Sequence, residues 1–368
     1  MRRAARPERH SICVMKRLRG TLVIVCAAML ASACSLIGPG HLKADQVDYA
    51  RALGEANKRA ILASIVQLRY ADAPSFVSVS QIIASYSFDA RGGPTLNLGS
   101  GAQASYASAT GSVSYSNHPT FTFVPTTGDA FATAFIRPLA PALVLPLAQG
   151  GIPVDLLLRI VAQSIGDLRN GTALGGPGSA GSPAFFELLR AARRLQLEGD
   201  LNVESRNGNG ASRVFLAIRN SPDDPPGAAA DRDALKRLLH LPADTGSFEV
   251  VYGQWAPPGQ IAILTRSVLA VLSDLGAQIS VPDAEVAKGA TKSTVPLIGG
   301  ETRPTIVVRS GRGAPSNAYV TVSYNGTNYW IEHDDFDSKY AFTVVQDLMA
   351  LAQVDTSAKA PIVTIPAD

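Results

Sequence analysis

After Cys34 this 368-residue chain contains no further cysteine. No disulfide can form beyond that position, so whatever folds there must hold itself together by its own core. A hydrophobic share of 46% is enough for such a core, and 32 glycines with 24 prolines predict many turns. The length suits one large domain or two modest ones.

The three cysteines, Cys13, Cys26 and Cys34, crowd into the N-terminus. Arg2, Arg3, Arg6, Arg9, Lys16, Arg17 and Arg19 precede the uncharged run TLVIVCAAMLASA at 21–33. A basic head, a short apolar stretch and a small-residue end are the pattern of an export signal. The run is shorter than the roughly 20 apolar residues that a membrane-crossing helix needs. MKRLRGTLVIVCAAMLASAC is a compact signal by itself, which makes Met15 the expected start in place of Met1. Ala31-Ser32-Ala33 fits ordinary signal cleavage. That reading leaves Cys34 as a lone reactive thiol in an exported chain, a liability that acylation removes.

Leu30-Ala31-Ser32-Ala33-Cys34 resembles the lipobox of bacterial lipoproteins, departing from it at Ala31, where that class usually has Leu. The resemblance implies that Cys34 is acylated, with palmitate among the chains, and begins the mature protein. Ser35 stands where an Asp would mark inner-membrane retention, so the implied address is the periplasmic face of the outer membrane. The stretches HPTFTFVPTTGDAFATAFIRP (118–138) and 338–366 resemble an uncharacterised bacterial lipoprotein family, which implies no activity.

Seven of the 33 Lys and Arg residues and one of the 30 acids lie in 1–33, so losing the signal turns the formal charge from +3 to −3. Nucleic acid is thereby excluded as an expected partner, because phosphate binding needs clustered cations. The expected partners are membrane lipid, through acylated Cys34, and envelope proteins that the sequence does not identify.

The expected organisation is a signal at 1–33, a tether at 34–44, an α+β lobe at 45–220 and a second α+β lobe at 231–368. Asn220–Ala230, NSPDDPPGAAA, is the boundary candidate within what is otherwise one continuous domain. Asp45 is the expected N-cap of a long amphipathic helix to Tyr70, carrying Leu53, Ala60, Ile61, Ile65 and Leu68 on its stripe.

Residues 76–124 read as an antiparallel sheet with one wet face. Ile82, Ala84, Tyr86 and Phe88 alternate with Ile83, Ser85 and Ser87, and Gly92-Gly93-Pro94 supplies a break. Four prolines and Gly150-Gly151 divide the apolar stretch 131–165 into short buried helices, the last at 154–165. Ser182-Pro183 opens a helix to about Leu197. Strands 201–205 and 213–219 flank the turn signal Asn207-Gly208-Asn209-Gly210.

Further on, the pattern predicts helices at 231–240, 264–275 and 338–352. Strands are expected at 247–252, 278–281, 305–308, 319–324 and 328–332, with a loop at 283–303 and a closing strand at 361–365. Helices and hairpins without a βαβ rhythm mean α+β: antiparallel sheets with hairpins packed against several amphipathic helices.

Candidate chemistry is sparse. Gly176-Pro177-Gly178-Ser179-Ala180-Gly181 fits G-x-G-x-x-G, but a helix precedes it and Pro177 lacks an N–H, so it reads as a loop and no cofactor is expected. His41, His118, His240 and His333 stand in no metal-ligand spacing, and no metal is expected. The densest polar cluster is Glu332-His333-Asp334-Asp335-Phe336-Asp337, beside Trp330. Its bland reading is a solvated loop with Asp337 as N-cap; its functional reading makes Glu332, His333 and Asp335 an acid/base or metal site.

Arg190, Arg193 and Arg194 share a helix face, read as solvated or as a contact for an acidic partner or anionic lipid. Three functions follow. The first is a non-enzymatic, outer-membrane-anchored lipoprotein with a binding or scaffolding role. The second is an envelope hydrolase acting near Glu332, His333 and Asp335. The third is an accessory subunit of a secretion or transport assembly, docking through 131–165.

Overall fold

The computed structural model describes residues 39–83, 86–97, 106–117, 120–171, 181–208, 211–220, 227–297 and 301–357. The signal, the lipobox-like stretch with Cys34, His118, the Gly-rich loop 172–180 and the expected strand 361–365 lie outside them. The architecture is α+β, with mixed and antiparallel sheets packed against helices.

Helix α1 spans Pro39–Arg69. Its described part already includes Pro39, ahead of the expected cap at Asp45. Described residues up to Arg59 form one compact unit and those from Ala60 on another. In the first, Lys58 pairs with Glu55 at 2.7 Å, one turn apart. In the second, Ile61, Leu62, Ile65 and Val66 are buried at helical spacing.

The strands β1 (Val77–Ile83), β2 (Tyr86–Asn97), β3 (Tyr106–Asn117) and β4 (Thr120–Pro125) pair as β1 with β4 and β2 with β3, and the two pairings share one register, Ile83 opposite Thr120 and Tyr86 opposite Asn117. Gly92-Gly93-Pro94 does not break the strand: β2 runs through it, with Gly93 opposite Thr110 and Pro94 opposite Ala109. The β1/β4 register shifts by one residue between Val79 and Gln81, a bulge at Ser80. At the base, Phe76 stacks on Phe135 with ring centroids 3.9 Å apart, and Thr126 N–H donates to the Phe76 carbonyl at 3.0 Å.

The apolar stretch that follows is core rather than surface. A short helix α2 (Gly128–Phe131) continues into a π-helical turn, Ala132–Ile136. Then come α3 (Pro141–Val144), a 3-10 turn and α4 (Val154–Val161). Ala134, Phe135, Leu139, Val144, Leu145, Leu157 and Val161 are buried. The last helix stops at Val161 and not at Ile165, because Ala162–Ile165 turns extended as strand β5.

A six-stranded sheet runs β6-β5-β10-β9-β8-β7. Its other strands are β6 (Leu168–Arg169), β7 (Leu201–Gly208), β8 (Ala211–Ile218), β9 (Ser247–Tyr252) and β10 (Gln260–Thr265). The expected hairpin at 201–219 is β7 on β8. The boundary candidate at 220–230 lies in part, at 221–226, outside the described residues; β8 before it and β9 after it pair antiparallel in one sheet.

Strand β10 replaces the first turn of the helix expected from Leu264. It pairs parallel with β9 after a return through 253–259, far tighter than the usual crossover. Gly253 (φ 144°), Pro257-Pro258 and Gly259 (φ 83°) make that return, and Trp255 at its tip is 87% exposed.

Helices α5 (Pro183–Glu198), α6 (Ala228–Leu238) and α7 (Val268–Ala277) complete this body. Ser182 Oγ accepts from Phe185 N–H at 3.2 Å, the cap expected there. Helix α7 runs two residues past the expected end at Leu275, through Gly276, where it makes a close approach.

The remainder departs from expectation where strands lack partners. Gln278–Val281 and Thr305–Val308 are irregular, a short helix α8 (Asp283–Ala287) interrupts the loop at 283–303, and the strand is β11 (Arg309–Gly311). It joins β12 (Val320–Tyr324) and β13 (Thr327–Ile331) in the order β11-β13-β12. Asn325 and Gly326, both at positive φ, make the expected turn between β12 and β13. Helix α9 (Phe336–Ser357) packs on the π-helical turn, α4 and α7.

Candidate functional site

The polar cluster that follows β13 is a helix cap. Asp335 Oδ1 accepts Ser338 N–H at 3.1 Å, so Asp335 and not Asp337 caps α9. Ser338 Oγ, fully buried, donates to Asp335 Oδ2 at 2.7 Å and accepts Val307 N–H at 2.8 Å. Arg303 donates through Nη2 to both Asp335 oxygens at 2.8 Å and through Nη1 to Asp337 at 3.1 Å.

Burial raises the Asp335 carboxyl, but the Arg303 and Ser338 hydrogen bonds outweigh it and leave it below the usual carboxylate value. A carboxylate held in this way is a poor proton acceptor. Glu332 faces Arg309 instead, at 3.5 Å, and exposed His333 accepts Lys339 Nζ at its carbonyl. Glu332, His333 and Asp335 therefore have three different partners and do not converge. Trp330 lies across Gly311, where an added Cβ would meet its ring at 3.3 Å. Among the described residues no group of three His, Cys, Asp or Glu could hold a metal ion.

The arginine stripe is largely spent on the fold. Arg194 makes a double hydrogen bond to Asp231, at 2.7 and 2.6 Å, joining α5 to α6. Arg193 donates to Gln196 Oε1 at 2.8 Å. Gln196 also accepts Val154 N–H and donates to the Ala148 and Ile152 carbonyls. The cleft of about 320 Å³ beside it thus has a polar wall committed to its own backbone. Exposed His240, at positive φ after α6, lies 3.8 Å from Asp167.

Sequence reading missed a buried charge centre. Arg266 donates to the Arg159 and Ile160 carbonyls at 3.1 Å and to the Gly171 carbonyl, taking up the free C-terminal end of α4. Asp274 faces it at 3.4 Å. Burial pushes the Asp274 carboxyl above its ordinary value against the pull of Arg266. Arg159 pairs with Glu301 beside them. Nothing in residue spacing announces this group, which the tertiary fold assembles.

The β2/β3 ribbon sorts its residues by face. Its register puts Phe88 opposite Tyr115, Ala90 opposite Val113, Gly92 opposite Gly111, Pro94 opposite Ala109 and Leu96 opposite Ala107. Alternation along a strand places those pairs on one face. The other face takes Ser87/Ser116, Asp89/Ser114, Arg91/Ser112, Gly93/Thr110, Thr95/Ser108 and, last, Asn97/Tyr106, where one tyrosine joins the polar residues. Asp89, Arg91, Gly93, Ser112 and Ser114 are exposed. Among the described residues β2 and β3 pair only with each other, leaving two open edges.

Comparisons with protein-family models, with curated proteins and with solved structures find no match for this chain.

Proposed function

We propose that this chain is an outer-membrane lipoprotein, anchored through Cys34 and facing the periplasm, which serves as a non-enzymatic scaffolding subunit of an envelope assembly. One observation carries the reading: the register of β2 on β3 sorts apolar from polar residues onto opposite faces of a ribbon with both edges open. A surface of that kind is completed by something else, either a bilayer or another strand. The lipobox-like LASAC and the lone Cys34 support the address. Acyl chains there, two or more for stable anchoring, would tether the chain to lipid.

The hydrolase reading loses ground to the geometry, since Asp335 is committed to Arg303 and Ser338. The subunit reading keeps its support, but through the ribbon in place of 131–165. Intact-mass analysis of protein extracted from envelopes tests the proposal: a diacyl or triacyl mass on Cys34, and release of Cys34→Ser from the membrane fraction, are expected. An unmodified thiol on protein recovered from the medium overturns it.

A further inference from the structure

We propose that β2/β3 ribbons from several copies of this chain join edge to edge into a closed β-barrel that crosses the bilayer, apolar face to lipid and polar face around an aqueous lumen. The inference rests on the envelope-lipoprotein reading above and names a second copy of the same chain as the partner.

The alternation is the first argument. A membrane barrel needs every second residue apolar on both strands of a hairpin, in register. Here the two strands pair over twelve positions, and on the apolar face only Asn117, at the base, breaks the pattern. Tyr86, Phe88 and Tyr115 gather at that same end, where a barrel carries an aromatic girdle, and small residues follow towards the tip.

Length is the second. The twelve pairs of β2/β3 extend ~41 Å at about 3.4 Å per residue, which at a tilt of about 45° gives ~29 Å, enough to cross about 30 Å of hydrocarbon, and β1/β4 continue the same register beyond them towards the body.

The edges are the third. A two-stranded ribbon is at best marginal alone in water, and unpaired backbone is not tolerated in lipid. The outer edges of β2 and β3 run in opposite directions. Pairing β3 of one copy with β2 of the next is therefore antiparallel and repeats identically around a ring, which closes with two strands per copy. Pro94, lacking an N–H, costs that ladder one donor per copy. Asp89 and Arg91 fall on the lumen face, one charge of each sign from every copy.

The test uses acylated full-length protein in vesicles of phosphatidylcholine and phosphatidylglycerol. Single cysteines replace Ala90, Arg91, Ser112 and Val113 in turn, each carrying an environment-sensitive fluorophore. The barrel predicts quenching by brominated lipid at 90 and 113, quenching by aqueous iodide at 91 and 112, and multimers on crosslinking. Planar bilayers should show channels that become more cation-selective with Arg91→Glu and are lost with Ala90→Asp, whose body melts as the parent does.

All four positions wet on vesicle-bound protein, or a crosslinking pattern of monomers only, overturns the barrel and leaves the anchor standing. Alternating quenching by Cys34→Ser, which cannot be acylated, upholds the barrel even where the anchor fails.

Discussion

A Cβ placed on Gly276 would lie 2.8 Å from the Ile65 carbonyl oxygen, so helices α7 and α1 meet there at a distance that only glycine permits. The obstacle is backbone, which cannot swing aside. Gly276→Ala is expected to destabilise by about 1–3 kcal/mol, the usual range for overpacking. Gly54, in the first unit, has nothing within 4 Å of such a Cβ and no positive φ. There the same substitution should stabilise α1 by about 0.5–1 kcal/mol. Urea unfolding of the two variants reads the opposite signs.

Asp335 gives a pH signature. Its carboxyl ionises at a lower pH in the fold than in the unfolded chain, so its contribution is complete above about pH 4 and disappears as the pH falls further. Asp335→Asn keeps an N-cap acceptor and should flatten this acid limb. Asp335→Ala should also lose about 1 kcal/mol at neutral pH, through the missing cap on α9. Denaturant midpoints measured from pH 3 to 7 separate the two.

Arg266 and Asp274 should behave as a unit. Arg266→Leu takes the cation from a buried carboxyl and a donor from three carbonyls, of which Arg159 keeps the Asn170 amide, and about 3–5 kcal/mol of destabilisation is expected. Adding Asp274→Leu should recover part of that loss, because the stranded charge goes with it. A double-mutant cycle by chemical denaturation measures the coupling.

The Tyr70 and Tyr329 hydroxyls lie 2.6 Å apart in the core. Tyr329→Phe should cost about 1 kcal/mol, and Tyr70→Phe in the same background much less than it does alone. Burial, reinforced by the Tyr70 hydrogen bond, pushes the Tyr329 phenol upward, so the fold favours its neutral form. Stability should fall as the pH rises above about 10, and phenolate absorbance from Tyr329 should appear only with unfolding.

The parts legible from sequence are those where local chemistry decides. Ser182-Pro183, Asn325-Gly326 and the β9 run SFEVVY all stand where their residues put them. Other features depend on distant partners. Leu264 fits a helical stripe with Val268, yet it sits in β10 because β9 and β5 supply ladders on both sides. Gly92-Gly93-Pro94 reads as a break, yet β3 supplies a pairing partner at every position. Asp337 and Asp335 are both plausible caps, and Arg303 reaches Asp335 with both carboxylate oxygens engaged. The alternating faces of the ribbon were visible only in part, since the register that matches them across two strands is not written in either strand alone.

The bulge at Ser80 carries an arithmetic consequence. Val77 and Val79 share a side with Pro125 and Phe123, and the one-residue slip lets Ile82 rejoin that side opposite Phe121. Removing Ser80 would set Gln81 beside Val79 opposite Thr122 and Phe123, a straight ladder with every later residue on its present side. An odd insertion elsewhere would trade greasy for wet downstream unless a second bulge took up the extra residue. The kink at Ser80 is thus the means by which a ribbon of this pattern changes length by one.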